Sequence, residues 1–430
     1  MSGPTSENDP GTASAIAADV RAGRRTAVQV AQAHLDRIAA LDPDLNAFAS
    51  VRAEQALAEA AAVDASPERD RLPLAGVPVA IKDNMAIAGS PVRYGSAATS
   101  EDPAPADDEL VARVRAAGAV VVGSTRLPEL AVWGFTSSRA YGATRNPLDP
   151  GRDPGGSTGG GAAAVAAGMA AVALGTDGGG SIRIPSAHCG LVGLKPTRGA
   201  VPLPGGVAEH WYGLTVAGPI GRTVADVALA HGVLTGTPVE TGDLGSLRVA
   251  TSVRSPSPLG PPDAPRRAAV ERAAARLREH GHLVDKADPR YPATVLNAWG
   301  RSWHAGVAEE VTRLGLDPDR LEPRTRAIVR KGRRGPGDGR AWTERAHELF
   351  TSYDVLVTPV TARGPGPAGA LTEKGYLATY LASARSIPFT PAWNLAGFPA
   401  VAVPCDGVAV QLVGPPGSEA VLLGVAAQLF

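Results

Sequence analysis

The sequence predicts an α/β fold in which helices cover a sheet. Three observations carry that reading: helical stretches alternate with short apolar strands, 430 residues suffice for a sizeable core, and glycine concentrates in turn-like clusters. Gly and Pro number 51 and 38, about one residue in five, below the roughly 25–30% of low-complexity disordered chains.

Met1 to Gly11 is polar and lacks the basic start and apolar run of a signal peptide, so residues 1–12 are expected to be a disordered tail. Ala13 to Ala22, Thr26 to Leu41 and Val51 to Val63 then mix apolar and polar residues at helical spacing. Leu74 to Ile81 reads as a strand with a proline near its start, ending at the polar triplet Lys82-Asp83-Asn84. Asp107 or Asp108 caps a helix whose Leu110, Val111, Val114 and Ala117 share one face, with Gly118 as its stop and Ala119 to Val122 as the next strand. Pro265 to Gly281 followed by His282-Leu283-Val284 repeats the unit. Between them, the small-residue segment Ala162 to Leu174 is expected to be helical, with the partial positive charge of its N-terminal end towards the loop before it.

Composition excludes several functions. Lys and Arg balance Asp and Glu at 42 each, and the pI is near 7.1, so no global field draws the chain to nucleic acid or to an anionic membrane. The basic stretch Arg326 to Arg334 has few interleaved aromatics and reads as a solvated face. The longest apolar run, Gly159 to Gly175, is shorter than the roughly 20 residues of a membrane span. Cys189 and Cys405 form no metal-spacing pattern and allow at most one bridge. No metal site and no cofactor are expected, and a cytoplasmic location fits.

Chemistry concentrates in two glycine-rich serine loops, Pro154 to Gly161 and Gly175 to Ser186. Glycines before Ser181 leave bare N–H groups free to face an anionic oxygen, the construction of an oxyanion hole, with Ser181 as nucleophile. Taken alone, the run Gly178, Gly179 and Gly180 is better accounted for by a tight strand-to-helix turn. Neither loop ends in the Gly-Lys-Ser/Thr of a phosphate-binding loop. Gly155 to Gly159 matches G-x-S-x-G, which makes Ser157 a rival nucleophile, but the elbow needs a strand upstream and Asn146 to Pro154 is a proline-rich loop.

A serine needs a base. His188 is near in sequence, yet has no evident carboxylate to orient it. Lysine acting through a second hydroxyl is the alternative, and an apolar strand delivers Lys82 towards the interior. Lowering a lysine from about 10.4 to about 7 takes roughly 4.6 kcal/mol, within reach of burial. Pairing of Lys82 with Asp83 is the competing role.

These residues together resemble the amidase signature family of serine amidohydrolases. Gly76 to Asn84 is similar to its lysine motif, Pro154 to Gly161 to its serine-glycine loop and Gly175 to Pro185 to its nucleophile loop, in the family's order. Tyr141 to Pro147, Cys189 to Thr197, Gly218 to Asp226, Asp354 to Pro359 and Asn394 to Pro404 extend the resemblance over most of the chain. It implies an α/β/α sandwich around a large mixed twisted sheet, as a single domain over residues 13–430. It further implies a cofactor-free amidase with a Ser-cisSer-Lys triad: Ser181 attacks the amide carbonyl, Ser157 relays the proton and neutral Lys82 receives and returns it. Gly178, Gly179, Gly180 and Ser181 are then oxyanion donors, braced by Thr158, Asp177 and Arg183.

The chain departs from the family pattern at Thr158, where a second serine is commoner, at Gly161, and in the short stretch Cys405 to Val413, expected to alter a hairpin near the substrate entrance. Leu127 to Phe135 is more similar to the stand-alone amidases than to the transamidosome proteins. Trp133, Phe135, Trp211 and Tyr212 are candidates for an apolar acyl pocket, with plain packing as their other role. The expected partner is a small-molecule amide; a homodimer is left open. An amidotransferase component releasing ammonia for a partner enzyme, an esterase and a non-catalytic binding protein are the rival readings.

Overall fold

The computed structural model describes residues 10–430. The expected tail therefore lies mostly outside the described residues; within them Thr12 caps the helix Ala13–Arg21, its side chain accepting from Ala15 N. Thirteen strands follow in order: β1 Phe48–Val51, β2 Pro78–Lys82, β3 Val120–Thr125, β4 Ser137–Ser138, β5 Gly142–Ala143, β6 Val172–Asp177, β7 Val192–Lys195, β8 Val216–Gly221, β9 Arg248–Thr251, β10 Leu283–Lys286, β11 Val355–Pro359, β12 Ala400–Cys405 and β13 Val408–Val413. Eleven make one mixed sheet in the order β1-β3-β2-β6-β8-β7-β12-β13-β11-β9-β10, and β4 and β5 pair separately.

The sheet is parallel at β3-β2-β6 and at β11-β9-β10, and antiparallel elsewhere. Strands β2, β3, β6, β7, β8 and β11 are buried along their whole length, as strands covered on both faces must be. Three of the four apolar clusters among the described residues fill the layers. One lies beneath the N-terminal helices, Ala13–Arg21, Ala27–Leu45 and Ala53–Ala65. A second, rich in tryptophan, gathers the helices Val295–Arg313, Arg340–Ser352 and Pro391–Ala396. The third packs Ala264–Glu279 and Glu419–Leu429 on β12 and β13.

Most predicted units appear within a few residues, and three differ. The helix expected over 162–174 runs instead over Gly159–Ala166, with Val172 to Leu174 in β6; an unbroken apolar run suits a buried helix and a buried strand alike. The edge strand β1 precedes the helix at 53–65. Asp108 occupies the N-cap position of Glu109–Ala116 without a side-chain cap; its carboxylate accepts from Ala86 N and Gly205 N instead. Among the described residues no helix is long and apolar enough to cross a membrane. Both cysteines are free and buried.

The expected change near the entrance takes another form. β12 and β13 are joined by Asp406-Gly407, both at positive φ (49° and 81°), a two-residue turn of the primed type. Asp406 pairs with Arg272 and Arg276 on the far helix, away from the cavities described below.

The helix Gly159–Ala166 carries the serine loop at its head and approaches the sheet closely. A Cβ on Gly160 would collide with Ala47 O and stand 2.6 Å from Arg126 N. Alanine gains about 1 kcal/mol of helix propensity over glycine, yet backbone atoms cannot yield as a side chain does. Gly160→Ala is expected to lower stability by about 1–3 kcal/mol, read as a fall in the urea midpoint with unchanged slope; an unchanged midpoint would show that the helix can shift away from Arg126 without cost.

Candidate active site

Strand β2 ends at Lys82, which is fully buried. Its Nζ donates to Ser157 Oγ at 2.8 Å and to Thr176 Oγ1 at 2.8 Å, with Thr176 O at 3.3 Å. Ser157 comes from the loop before the helix at 159–166, and its peptide bond to Gly156 is cis. Thr176 is the penultimate residue of β6, whose neighbour in the sheet is β2. Three backbone segments distant in sequence thus converge on one amine.

Burial is the leading influence on Lys82 and brings its pKa from the ordinary 10.5 down to about 7, against the pull of Asp177 and Glu310. The Lys82–Asp83 pairing does not form: Asp83 accepts from Arg93 N. His188 is half-buried with both ring nitrogens shielded from solvent, which pushes it down to about 4, and it lines a neighbouring cavity rather than the space around Ser181. The strand required upstream of Ser157 for an elbow is absent, since residues 153–158 form a loop.

Ser181 faces a small cavity whose lining also includes Ser157, Thr176 and Gly178. No Ser181–Ser157 hydrogen bond forms in this arrangement. Of the four loop N–H groups expected to face an oxyanion, that of Gly180 already donates to Asp177 Oδ1 at 2.6 Å, a correction to its expected role. Gly180 has φ +125°, and a Cβ there would strike Thr390 Oγ1. Gly178 and Gly179 are hemmed in by aromatics: a Cβ on Gly178 would meet Trp211 at 2.8 Å, and one on Gly179 would meet Trp299 at 2.5 Å. Glycine is required here by close approach as well as by the turn.

Behind the loop sits a buried clamp. Arg183 contacts Asp177 through Nε (3.0 Å) and an Nη (2.9 Å), then reaches Thr390 O, Gln411 Oε1 at 2.6 Å and Asn394 Oδ1 at 2.6 Å. Asn394 Nδ2 returns to Asp177 Oδ1 at 2.8 Å. Burial alone raises a carboxyl, but Arg183 and its hydrogen bonds dominate and hold Asp177 far below the usual carboxylate range. Thr158 contributes its N–H to Ser181 O at 3.1 Å, tying the two serine loops together.

The aromatic candidates divide. Trp133 and Trp211 line an apolar cavity of about 80 Å³ that opens on Ser181. Phe135 borders the adjoining cavity instead, beneath the Arg324 guanidinium. Tyr212 is 40% exposed and lines neither, which removes it from the pocket. Trp299 and Trp303, one turn apart on the helix Val295–Arg313 and stacked at 5.3 Å, complete the wall; sequence reasoning misses them, as it misses Thr176, Asn394 and Glu310. The i, i+4 tryptophan pair is the available signal.

Residues 29–323 and 337–423 match the amidase family. The Mycobacterium tuberculosis (strain ATCC 25618 / H37Rv) protein named "Putative amidase AmiB2" is 44% identical over 437 residues, covering 95% of this chain and 93% of its own. A glutamyl-tRNA(Gln) amidotransferase component from Symbiobacterium thermophilum is 36% identical, covering 94% of this chain and 93% of its own. Among solved structures, 6-aminohexanoate cyclic dimer hydrolase complexed with substrate superposes with a TM-score of 0.86 at 29% identity, over 99% of this chain and 97% of that one.

The clamp yields a stability test. Removing one partner of a buried pair strands the other charge, at about 3–5 kcal/mol. Arg183→Met is expected to lose stability on that scale in urea unfolding, whereas a loss below about 1 kcal/mol, the range of an exposed pair, would mean that Asp177 is satisfied without Arg183.

Proposed function

The chain belongs to the amidase signature family and is an amidase; from that premise we propose that it cleaves carboxylic amides through an acyl-enzyme on Ser181. The observation that carries the mechanism is Lys82, buried without a carboxylate in contact and 2.8 Å from Ser157 Oγ. A lysine brought to about 7 is about half neutral at neutral pH and largely so one unit above it, and the neutral form can accept a proton.

Ser181 Oγ adds to the amide carbonyl as its proton passes by way of Ser157 to Lys82. The tetrahedral oxyanion is received by the N–H groups of Gly178, Gly179 and Ser181, each such donor contributing about 2.7–4 kcal/mol. Collapse breaks the C–N bond while the proton returns through Ser157 to the leaving nitrogen. Water then repeats the sequence on the ester and frees Ser181. The clamp Asp177–Arg183 and the Thr158 N–H hold the two loops in register and touch no reacting atom.

The acyl group occupies the cavity walled by Trp133, Trp211, Trp299 and Trp303, which favours aromatic or bulky apolar acids. The greater likeness to the amidase relative, 44% against 36% for the amidotransferase component, supports free amides over delivery of ammonia to a partner enzyme.

Two outcomes are expected. Ser181→Ala abolishes fluorophosphonate labelling and Lys82→Met lowers kcat by about 10⁴-fold or more, because members of such a unit fail together; labelling retained at another serine, or amide turnover surviving in the lysine variant, rejects the mechanism. In the wild type, the active form carries neutral Lys82, so kcat/KM should rise with pH through about 7 and level off above it. A profile flat between pH 5 and 9 (about two units either side) contradicts a lysine base.

A further inference from the structure

Two cavities of opposite character meet at Ser181. The apolar one, about 80 Å³, is walled by tryptophans. The other is about 10 Å³ and is bordered by Ser157, Asn84, Thr215, His210 and Glu310. Ala131, Trp211 and Ser181 belong to both walls, and Ser157 belongs only to the small one. A cavity of roughly 10–15 Å³ holds about one water molecule.

Its polar lining is biased towards acceptors. Asn84 is 8% exposed; its Nδ2 donates to Thr176 Oγ1 at 3.1 Å, and Oδ1 has no partner. Glu310 is 5% exposed, with Oε2 accepting from Trp211 Nε1 at 2.9 Å and Oε1 lying 3.2 Å from His210 Nε2. Thr215 Oγ1 stands 2.8 Å from His210 Nδ1, which suits a ring carrying its hydrogen on Nε2. Arg313 stands further off, its Nη2 3.7 Å from Oε1; a carboxylate offers about four acceptor positions, so these three partners still leave one open on Glu310. Burial works to raise its pKa, yet His210, Trp211 and Arg313 together bring it below the ordinary value, so it stays an anion.

We propose that this chamber is the leaving-amine subsite and that it is built for ammonia, making primary carboxamides the substrate class, with Asn84 and Glu310 as the residues that select it. The inference rests on the acyl-enzyme reading above. The departing nitrogen must lie within hydrogen-bond reach of the group that returns its proton, and Ser157 opens only on the small chamber. In acylation the Ser181 Oγ–carbon bond forms, the C–N bond breaks, and the proton lost by Ser181 reaches the nitrogen through Ser157, giving NH₃. One water then replaces one ammonia in a space of the same size; its oxygen joins the acyl carbon, one of its protons travels the same route, and Ser181 leaves with that proton. An N-alkyl or N-aryl group has no room beside Ser157, and the N–H groups of ammonia meet Asn84 Oδ1 and the Glu310 carboxylate.

The test is an acyl-matched series, phenylacetamide, N-methylphenylacetamide and N-benzylphenylacetamide, with fluorophosphonate labelling of Ser181 as a measure of the nucleophile that involves no leaving amine. One added methyl is expected to lower kcat/KM by about 10-fold or more and the benzyl group further. Glu310→Ala, which enlarges the chamber, should move the preference towards the N-methyl amide by about 10-fold, a change in ratio that general loss of structure does not produce. Glu310→Gln should lower phenylacetamide turnover relative to the labelling rate by about 10-fold. An enzyme that is labelled at Ser181 yet cleaves the N-benzyl amide as well as phenylacetamide overturns the inference and leaves the acyl-enzyme standing. An enzyme neither labelled at Ser181 nor active on any of the three overturns both.

Discussion

The desolvation of one amine governs the architecture around the site. Lys82 sits at the end of β2 with no carboxylate in contact, and its hydrogen-bond partners are the uncharged groups of Ser157 and Thr176. Burial penalises the ammonium and makes the neutral amine accessible near neutral pH. The surrounding structure keeps it so: β2 and β6 lie side by side, so Thr176 is delivered to Lys82 by ladder register, and the loop leading into the helix at 159–166 brings Ser157. The nearby anions, Asp177 and Glu310, pull against that burial without touching the amine; Asp177 is held by Arg183, and Glu310 accepts from Trp211 beside His210.

Rigidity of the glycine loop has a separate source. Three consecutive glycines have large conformational freedom in the unfolded chain, and the folded loop recovers order from contacts outside itself. Asp177 holds Gly180 N and Ile182 N from within, Thr390 Oγ1 donates to Gly179 O at 2.6 Å, and Trp299 Nε1 donates to Gly178 O at 2.9 Å. Two of the loop carbonyls are thereby satisfied by side chains from outside the loop. Trp299 serves twice, as a carbonyl partner and as pocket wall.

Much of this is legible in the sequence, and the gaps have physical causes. The lysine strand and the two serine loops can be read because each is a local signal: an apolar run ending in a polar triplet, and glycines whose spacing serves close approach. The segment 162–174 misleads because Ala, Val and Gly without periodicity do not distinguish helix from strand, and the chain uses both. The pocket wall is only half visible. Trp133 and Trp211 lie near the motifs, whereas Trp299, Trp303 and Glu310 come from a helix whose place over the site is set by tertiary packing. Adjacency misplaces Tyr212: Trp211 and Tyr212 both have positive φ, 51° and 56°, and the turn sends one ring inward and the other to solvent.

The clamp on Arg183 also orders events during synthesis. Its guanidinium is completed by Asn394 and by Gln411, the latter on β13 near the chain's end. A nascent polypeptide that has already released Lys82, Ser157 and Ser181 from the ribosome still lacks the side chains that complete the clamp behind the loop bearing Ser181. The loop at 178–181 therefore reaches its full set of bonds only once the hairpin of β12 and β13 has docked, however early its own residues were made.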